Sequence, residues 1–100
     1  MDLIQQILDA MLKQGQPCLN SAGLPCLRHG NLRCPVGMLI PPAMYEPKLE
    51  GMSASRILDK LNITHPLIKD LIIKMQESHD AATKHDFITS FRKELSERIH

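Results

Sequence analysis

Tryptophan is absent from this chain of 100 residues, tyrosine occurs once and phenylalanine twice. A core built mainly of aromatic rings is thereby excluded, and the interior must be largely aliphatic. Leu and Ile supply most of it, and the six Met residues add unbranched, adaptable filling. An excess of charge of one sign is missing as well. The 12 Lys and Arg stand against 11 Asp and Glu, with the two signs interleaved. Without a basic stripe the chain lacks the electrostatic footprint of a nucleic-acid binder. No apolar run approaches the roughly 18 residues of a membrane span. The N-terminus alternates polar and apolar residues where a secretory signal would be continuously apolar. A soluble, cytoplasmic protein is expected.

Closely spaced cysteine pairs are also lacking. Cys18, Cys26 and Cys34 are separated by seven residues each, whereas closed zinc sites draw their ligands from pairs two to four residues apart. An odd thiol count without a signal sequence argues for reduced cysteines, which behave mainly as small apolar residues. No stretch carries a catalytic motif with a known mechanism, so no reaction and no cofactor are read from the chain. With 43% hydrophobic residues, residues 1–100 are expected to form a single domain with its own core.

Helix-like sequence flanks a turn-rich middle. Residues 2–14 place Leu3, Ile4, Ile7, Leu8, Met11 and Leu12 at three- and four-residue spacing, with Asp2 and Gln5 suited to cap the start and Gly15 the end. Pro17, Asn20, Ser21, Gly23 and Pro25 mark a connection that allows at most one extended segment. His29-Gly30-Asn31 reads as a three-residue hairpin loop, in which register Cys26 and Cys34 face each other across two very short strands. Met38-Leu39-Ile40 then forms an apolar plug. Pro42 opens a single helical turn over Ala43–Tyr45, stopped by Pro47.

From Ser53 the pattern is helical throughout. A short helix capped by Ser53 or Ser55 carries Ile57, Leu58 and Leu61 and ends at Asn62. A longer one opens at Thr64-His65-Pro66, runs to about Ala82, and is expected to bury Leu67, Ile68, Leu71, Ile72 and Met75, with the face extended by His79 and Ala82. The last helix, capped by Thr83 with Asp86, carries Phe87, Ile88, Phe91, Leu95 and Ile99, with Glu94 and Arg98 paired outside. The connection is short, so the two form an antiparallel pair. The predicted class is mainly α with one small β-hairpin: helix, hairpin and loop, short helix, then the helix pair. The first, third and fourth helices are expected to supply most of the core.

Chemistry has few places to sit. A metal site would need Cys18, Cys26 and Cys34 with His29 or His79, and the spacing speaks against it, so no metal is expected. A nucleophile, Cys34 or Cys26, could be activated by His79 with Asp80 as orienting acid. Adjacent residues on a helix point about 100° apart, however, which makes His79 and Asp80 poor partners. The stronger reading of His79 is a buried histidine satisfied by backbone or a neighbour, with Gln76 sharing its network. Cys26, Cys34, His79 and Gln76 are therefore read as a structural anchor. Arg28, His29, Arg33 and Tyr45 are the candidates for partner contact.

Cys26, Arg28, Gly30, Cys34, Val36, Gly37, Leu39, Ile40 and Pro41, followed by Tyr45, Glu50-Gly51 and the later Met75-Gln76-Glu77-Ser78-His79-Asp80, resemble the core of a family of small uncharacterised proteins encoded by tailed phages and prophages. The chain departs from that pattern at Leu27, where the family tends to an aromatic residue, and at Pro42, where it has Asp. The resemblance implies no activity. It implies a phage or mobile-element origin, and small phage proteins are often inhibitors or adaptors of host machinery. The expectation is a non-enzymatic interaction module in the bacterial cytoplasm with a host protein partner. The alternative is a small cysteine- or metal-dependent enzyme, or a zinc-stabilised domain, using Cys26, Cys34 and His79. Nothing in the sequence sets the oligomeric state.

Overall fold

The structure, a computed structural model, describes residues 2–99. Helix α1 spans Leu3–Gln14. It starts where Asp2 Oδ1 accepts the Gln5 N–H at 2.9 Å and stops at Gly15, whose φ of 70° is the left-handed C-terminal conformation. Ile7 and Met11 are fully buried, and Leu3, Ile4 and Leu8 pack around them.

The turn-rich connection is more ordered than its composition predicts. Leu19 and Pro25 form an antiparallel bridge, with the Cys26 N–H donating to the Cys18 carbonyl at 3.1 Å and the Asn20 N–H to the Leu24 carbonyl at 2.8 Å. Asn20 Oδ1 closes the loop by accepting the N–H groups of Ala22 at 2.9 Å and Leu24 at 3.1 Å. Strands β1 (Arg28–His29) and β2 (Leu32–Arg33) follow. Their register differs from the expected one, since Arg28 pairs with Arg33 and His29 with Leu32. The loop is therefore Gly30-Asn31 alone. Gly30 takes φ 61°, and a two-residue turn with glycine first matches the twist of the flanking strands. One residue fewer in the loop removes Cys26 from opposite Cys34. Leu27 takes that place, its carbonyl accepting the Cys34 N–H at 3.2 Å.

Three 3-10 turns carry the chain onward, at Gly37–Leu39, Pro42–Met44 and Pro47–Gly51. The first contains most of the apolar plug, the second is the expected single turn, and the third, not anticipated, buries Leu49. Helix α2 (Ala54–Lys60) starts where Ser53 Oγ accepts the Arg56 N–H at 3.3 Å. Asn62, at φ 62°, follows it.

Helix α3 spans Pro66–Ala81 and α4 spans Phe87–Arg98. The pair is antiparallel, with the Thr83 N–H on Ser90 Oγ at 3.0 Å and Arg98 Nε 3.9 Å from Glu77. Thr83 thus contacts the first turn of α4 through its main-chain N–H instead of capping it. The first turn of α3 is exposed. Leu67 is left 71% exposed and Ile68 37%, contrary to the expected face; Ile72, Met75, Ser78 and His79 are the buried residues of α3. Phe87 and Phe91 stack at 5.4 Å between ring centroids, Leu95 is half-buried, and Ile88 and Ile99 face outward.

The core is shared more widely than the helical pattern predicts. Of the fourteen apolar residues that form the buried core among the described residues, Cys18, Leu27, Cys34, Val36, Ile40 and Leu49 come from the irregular middle. Helix α2 adds Ile57 and Leu58. The middle segment is wrapped into the helices as a packed layer. No helix among the described residues is long and apolar enough to cross a membrane.

Candidate functional site

His79 faces inward from α3, its side chain wholly buried. A buried imidazole needs partners for both nitrogens. Nε2 accepts the backbone N–H of Cys18 at 2.9 Å, which places the ring hydrogen on Nδ1, 2.8 Å from Asp80 Oδ1. Helical spacing had argued against this pairing of neighbours. It forms because Nδ1 lies on the ring edge nearest the main chain, within reach of the short carboxylate that follows. Gln76 Nε2 donates to the same Asp80 oxygen at 3.0 Å, while Gln76 Oε1 accepts the Val36 N–H at 2.9 Å. One hydrogen-bonded chain thus runs from the 18–26 loop through His79, Asp80 and Gln76 to the segment after the hairpin. It ties two sequence-distant stretches to α3.

The anchor residues divide along this chain. Gln76 and His79 meet through Asp80 as expected. His79 reaches the Cys18 amide instead of the thiol of Cys26 or Cys34, so its lone pair is already used. Cys34 is fully buried, and its sulfur accepts the Gly37 N–H at 3.2 Å. Burial pushes the Cys34 thiol up to about 12, the Gly37 N–H offsetting only part of the effect. Cys26 sits with Cys18, Sγ to Sγ 3.4 Å, and burial raises both thiols. Such groups ionise little at neutral pH and so attack slowly, the fully enclosed Cys34 least readily of the three. Among the described residues, no three His, Cys, Asp or Glu side chains converge as a metal site would require.

The outward side of this layer is a cleft of about 450 Å³ whose wall includes Cys26, Glu50, Ile57, Gln76, Glu77 and Asp80. Its lining holds three carboxylates and no cationic side chain. Glu50 organises one edge: Oε1 accepts the Leu27 N–H at 2.7 Å and Oε2 accepts the Tyr45 hydroxyl at 2.7 Å. That hydrogen bond, with some burial and the carboxylate charge, raises the Tyr45 phenol to about 12. The Arg28 guanidinium lies 4.5 Å above the centroid of the Tyr45 ring, a cation–π stack.

The remaining contact candidates separate. His29 is exposed on the hairpin. Arg33 folds back on the turn, Nη1 donating to the carbonyls of Gly30 and Leu32, both at 2.7 Å. Its main chain is clasped by Gln14, which accepts the Arg33 N–H at 3.0 Å and donates to the Arg33 carbonyl at 2.9 Å. Arg33 therefore closes the hairpin against α1. The sequence reading missed Glu50, Gln14 and the pairing of Cys18. For Cys18 a signal existed, because it and Cys26 lie symmetrically about Ser21-Ala22-Gly23, the centre of a turn-forming run. Gln14, and Glu50 in its bond to Leu27, act across long stretches of chain and carry no local signal. Compared with known family models, curated proteins and solved structures, the chain matches none.

Proposed function

We propose that this protein is a non-enzymatic interaction module, a phage- or prophage-encoded modulator of a host protein complex acting in the bacterial cytoplasm. The observation that carries the reading is the Arg28–Tyr45 stack held by Glu50. Arg and Tyr are the side chains that most often dominate binding energy at protein interfaces. Here both are fixed before any partner arrives, which lowers the ordering cost of association. The polar groups of the interior support the same reading from the other side, since His79, Gln76 and Cys34 are each engaged in holding backbone. The resemblance to small phage proteins supports the origin and the host partner.

The test is capture of a partner from a bacterial lysate on the immobilised native chain, in parallel with Arg28→Ala. Arg28 contributes its stack and no cap or core contact, so the variant should keep its thermal transition. The expected result is a protein retained by the native chain and lost, at least tenfold, by the variant. Equal retention by both, or none by the native chain, overturns the proposal.

A further inference from the structure

Cys18 and Cys26 face each other across the Leu19–Pro25 bridge, their sulfurs 3.4 Å apart. We propose that this pair is an oxidative modification site, at which Cys26 attacks a cationic low-molecular-weight disulfide and Cys18 resolves the adduct into an intramolecular disulfide. The order of events follows from access. Cys26 is partly exposed and lines the cleft, whereas Cys18 is wholly buried. The carboxylates of Glu50, Glu77 and Asp80 in the same cleft favour a positively charged reagent. Cys34 is a bystander, enclosed in the core with its sulfur on the Gly37 N–H.

The chemistry balances in two exchanges. The Cys26 thiolate attacks one sulfur of the reagent, its S–S bond breaks, and one half departs as a thiolate that takes up a proton. Cys18 then gives its proton to water and attacks the Cys26 sulfur, releasing the second half as a thiol. Two protein thiols are oxidised by two electrons and one reagent disulfide is reduced to two thiols. Burial opposes ionisation of Cys26, as do the carboxylates of Glu50 and Asp80, and the hydrogen bond with the Cys18 thiol offsets part of this, so the first exchange is slow at neutral pH. To form a bond of about 2.05 Å the sulfurs close by about 1.4 Å. The main chain of Cys18 is held by His79 at 2.9 Å, so the movement falls on Cys26. The product removes a thiol from the cleft wall and locks the 18–26 loop.

The experiment treats the native full chain with cystamine, whose two ammonium groups suit the cleft, then alkylates free thiols and digests with trypsin. Peptide Gln14–Arg28 holds both Cys18 and Cys26, and Cys34 falls in peptide Cys34–Lys48. The expected product has lost two hydrogens and retains no cysteamine. Its bond is internal to Gln14–Arg28, and Cys34 is alkylated. Cys18→Ser should stop at one cysteamine adduct on Cys26. A bond joining the two peptides overturns the proposal, and so does an unreactive native chain whose urea-unfolded form reacts. The native digest decides even where a serine variant fails to fold.

Discussion

Gly37 packs directly against the main chain of Leu27, so that a Cβ at position 37 would overlap the Leu27 carbonyl oxygen and lie 2.7 Å from its carbon. The same carbonyl accepts the Cys34 N–H at 3.2 Å. Hairpin and first 3-10 turn are thus pressed together backbone to backbone, and only glycine allows the approach. Within Cys34-Pro35-Val36-Gly37 the glycine is there for space, since its φ is negative.

Gly37→Ala is accordingly expected to destabilise the protein by roughly 3 kcal/mol, the upper range for overpacking, because the clash is with main chain that cannot rotate away. Urea unfolding gives the value. A cost under about 0.5 kcal/mol, the range of neutral surface changes, would mean that hairpin and turn are not in this contact. Gly30→Ala has open space around it, and its φ of 61° makes the cost roughly 1 kcal/mol through backbone strain alone.

His79 and Asp80 separate by their substitutions. His79→Ala leaves a buried void and strands the Cys18 N–H, so a loss of roughly 3–5 kcal/mol is expected. Asp80→Asn keeps an oxygen for His79 Nδ1 and for Gln76 Nε2 and loses only the charge assistance, for a cost of about 1 kcal/mol. Thermal unfolding of both variants checks the ranking. Equal losses would mean that Asp80 holds more than the imidazole.

The helices were legible because their signals are local. Asp2, Gly15 and Ser53 act within one turn of their own helix, and the Glu94–Arg98 pair forms as its spacing predicts, at 2.8 Å. What failed were the long-range choices. Periodicity gives an apolar face for α3 but cannot show which of its turns the rest of the chain covers, and Leu67 in the first turn is left exposed. The hairpin register turned on whether His29 belongs to loop or strand, a difference of one residue that periodicity over two-residue strands does not resolve. With the register went the cysteine pairing. Cys26 joined Cys18 because the preceding loop, not the hairpin, brings two cysteines opposite each other.

Alkaline pH should weaken the fold through Cys34. Its thiol is raised from 9.0 to about 12 by burial, so between these values the folded chain holds a proton that the unfolded chain releases. A raised value contributes stability that is complete below about 9 and is lost as pH climbs towards about 12. The slope attributable to this one proton is about 1.4 kcal/mol per pH unit. Denaturant unfolding across that window, compared with Cys34→Ala, isolates it: the variant should be less stable at neutral pH and show a shallower decline. Parallel declines would assign the alkaline loss to other groups.

Two aliphatic positions on α3, one and a half turns apart, should respond oppositely to truncation. Ile72 is wholly buried within the shared core, and Ile72→Ala is expected to cost roughly 2–5 kcal/mol from lost transfer energy and the cavity left behind. Leu67, 71% exposed in the first turn of α3, has almost nothing to lose, and Leu67→Ala should stay within about 0.5 kcal/mol. Alanine is also the better helix former, which removes any propensity penalty. Urea midpoints at constant slope measure both. Comparable losses at the two positions would show that Leu67 is covered in solution, by another copy of the chain or by a segment folded over the start of α3. Repeating the Leu67→Ala measurement over a range of protein concentrations then tells these apart, because only association makes the midpoint depend on concentration.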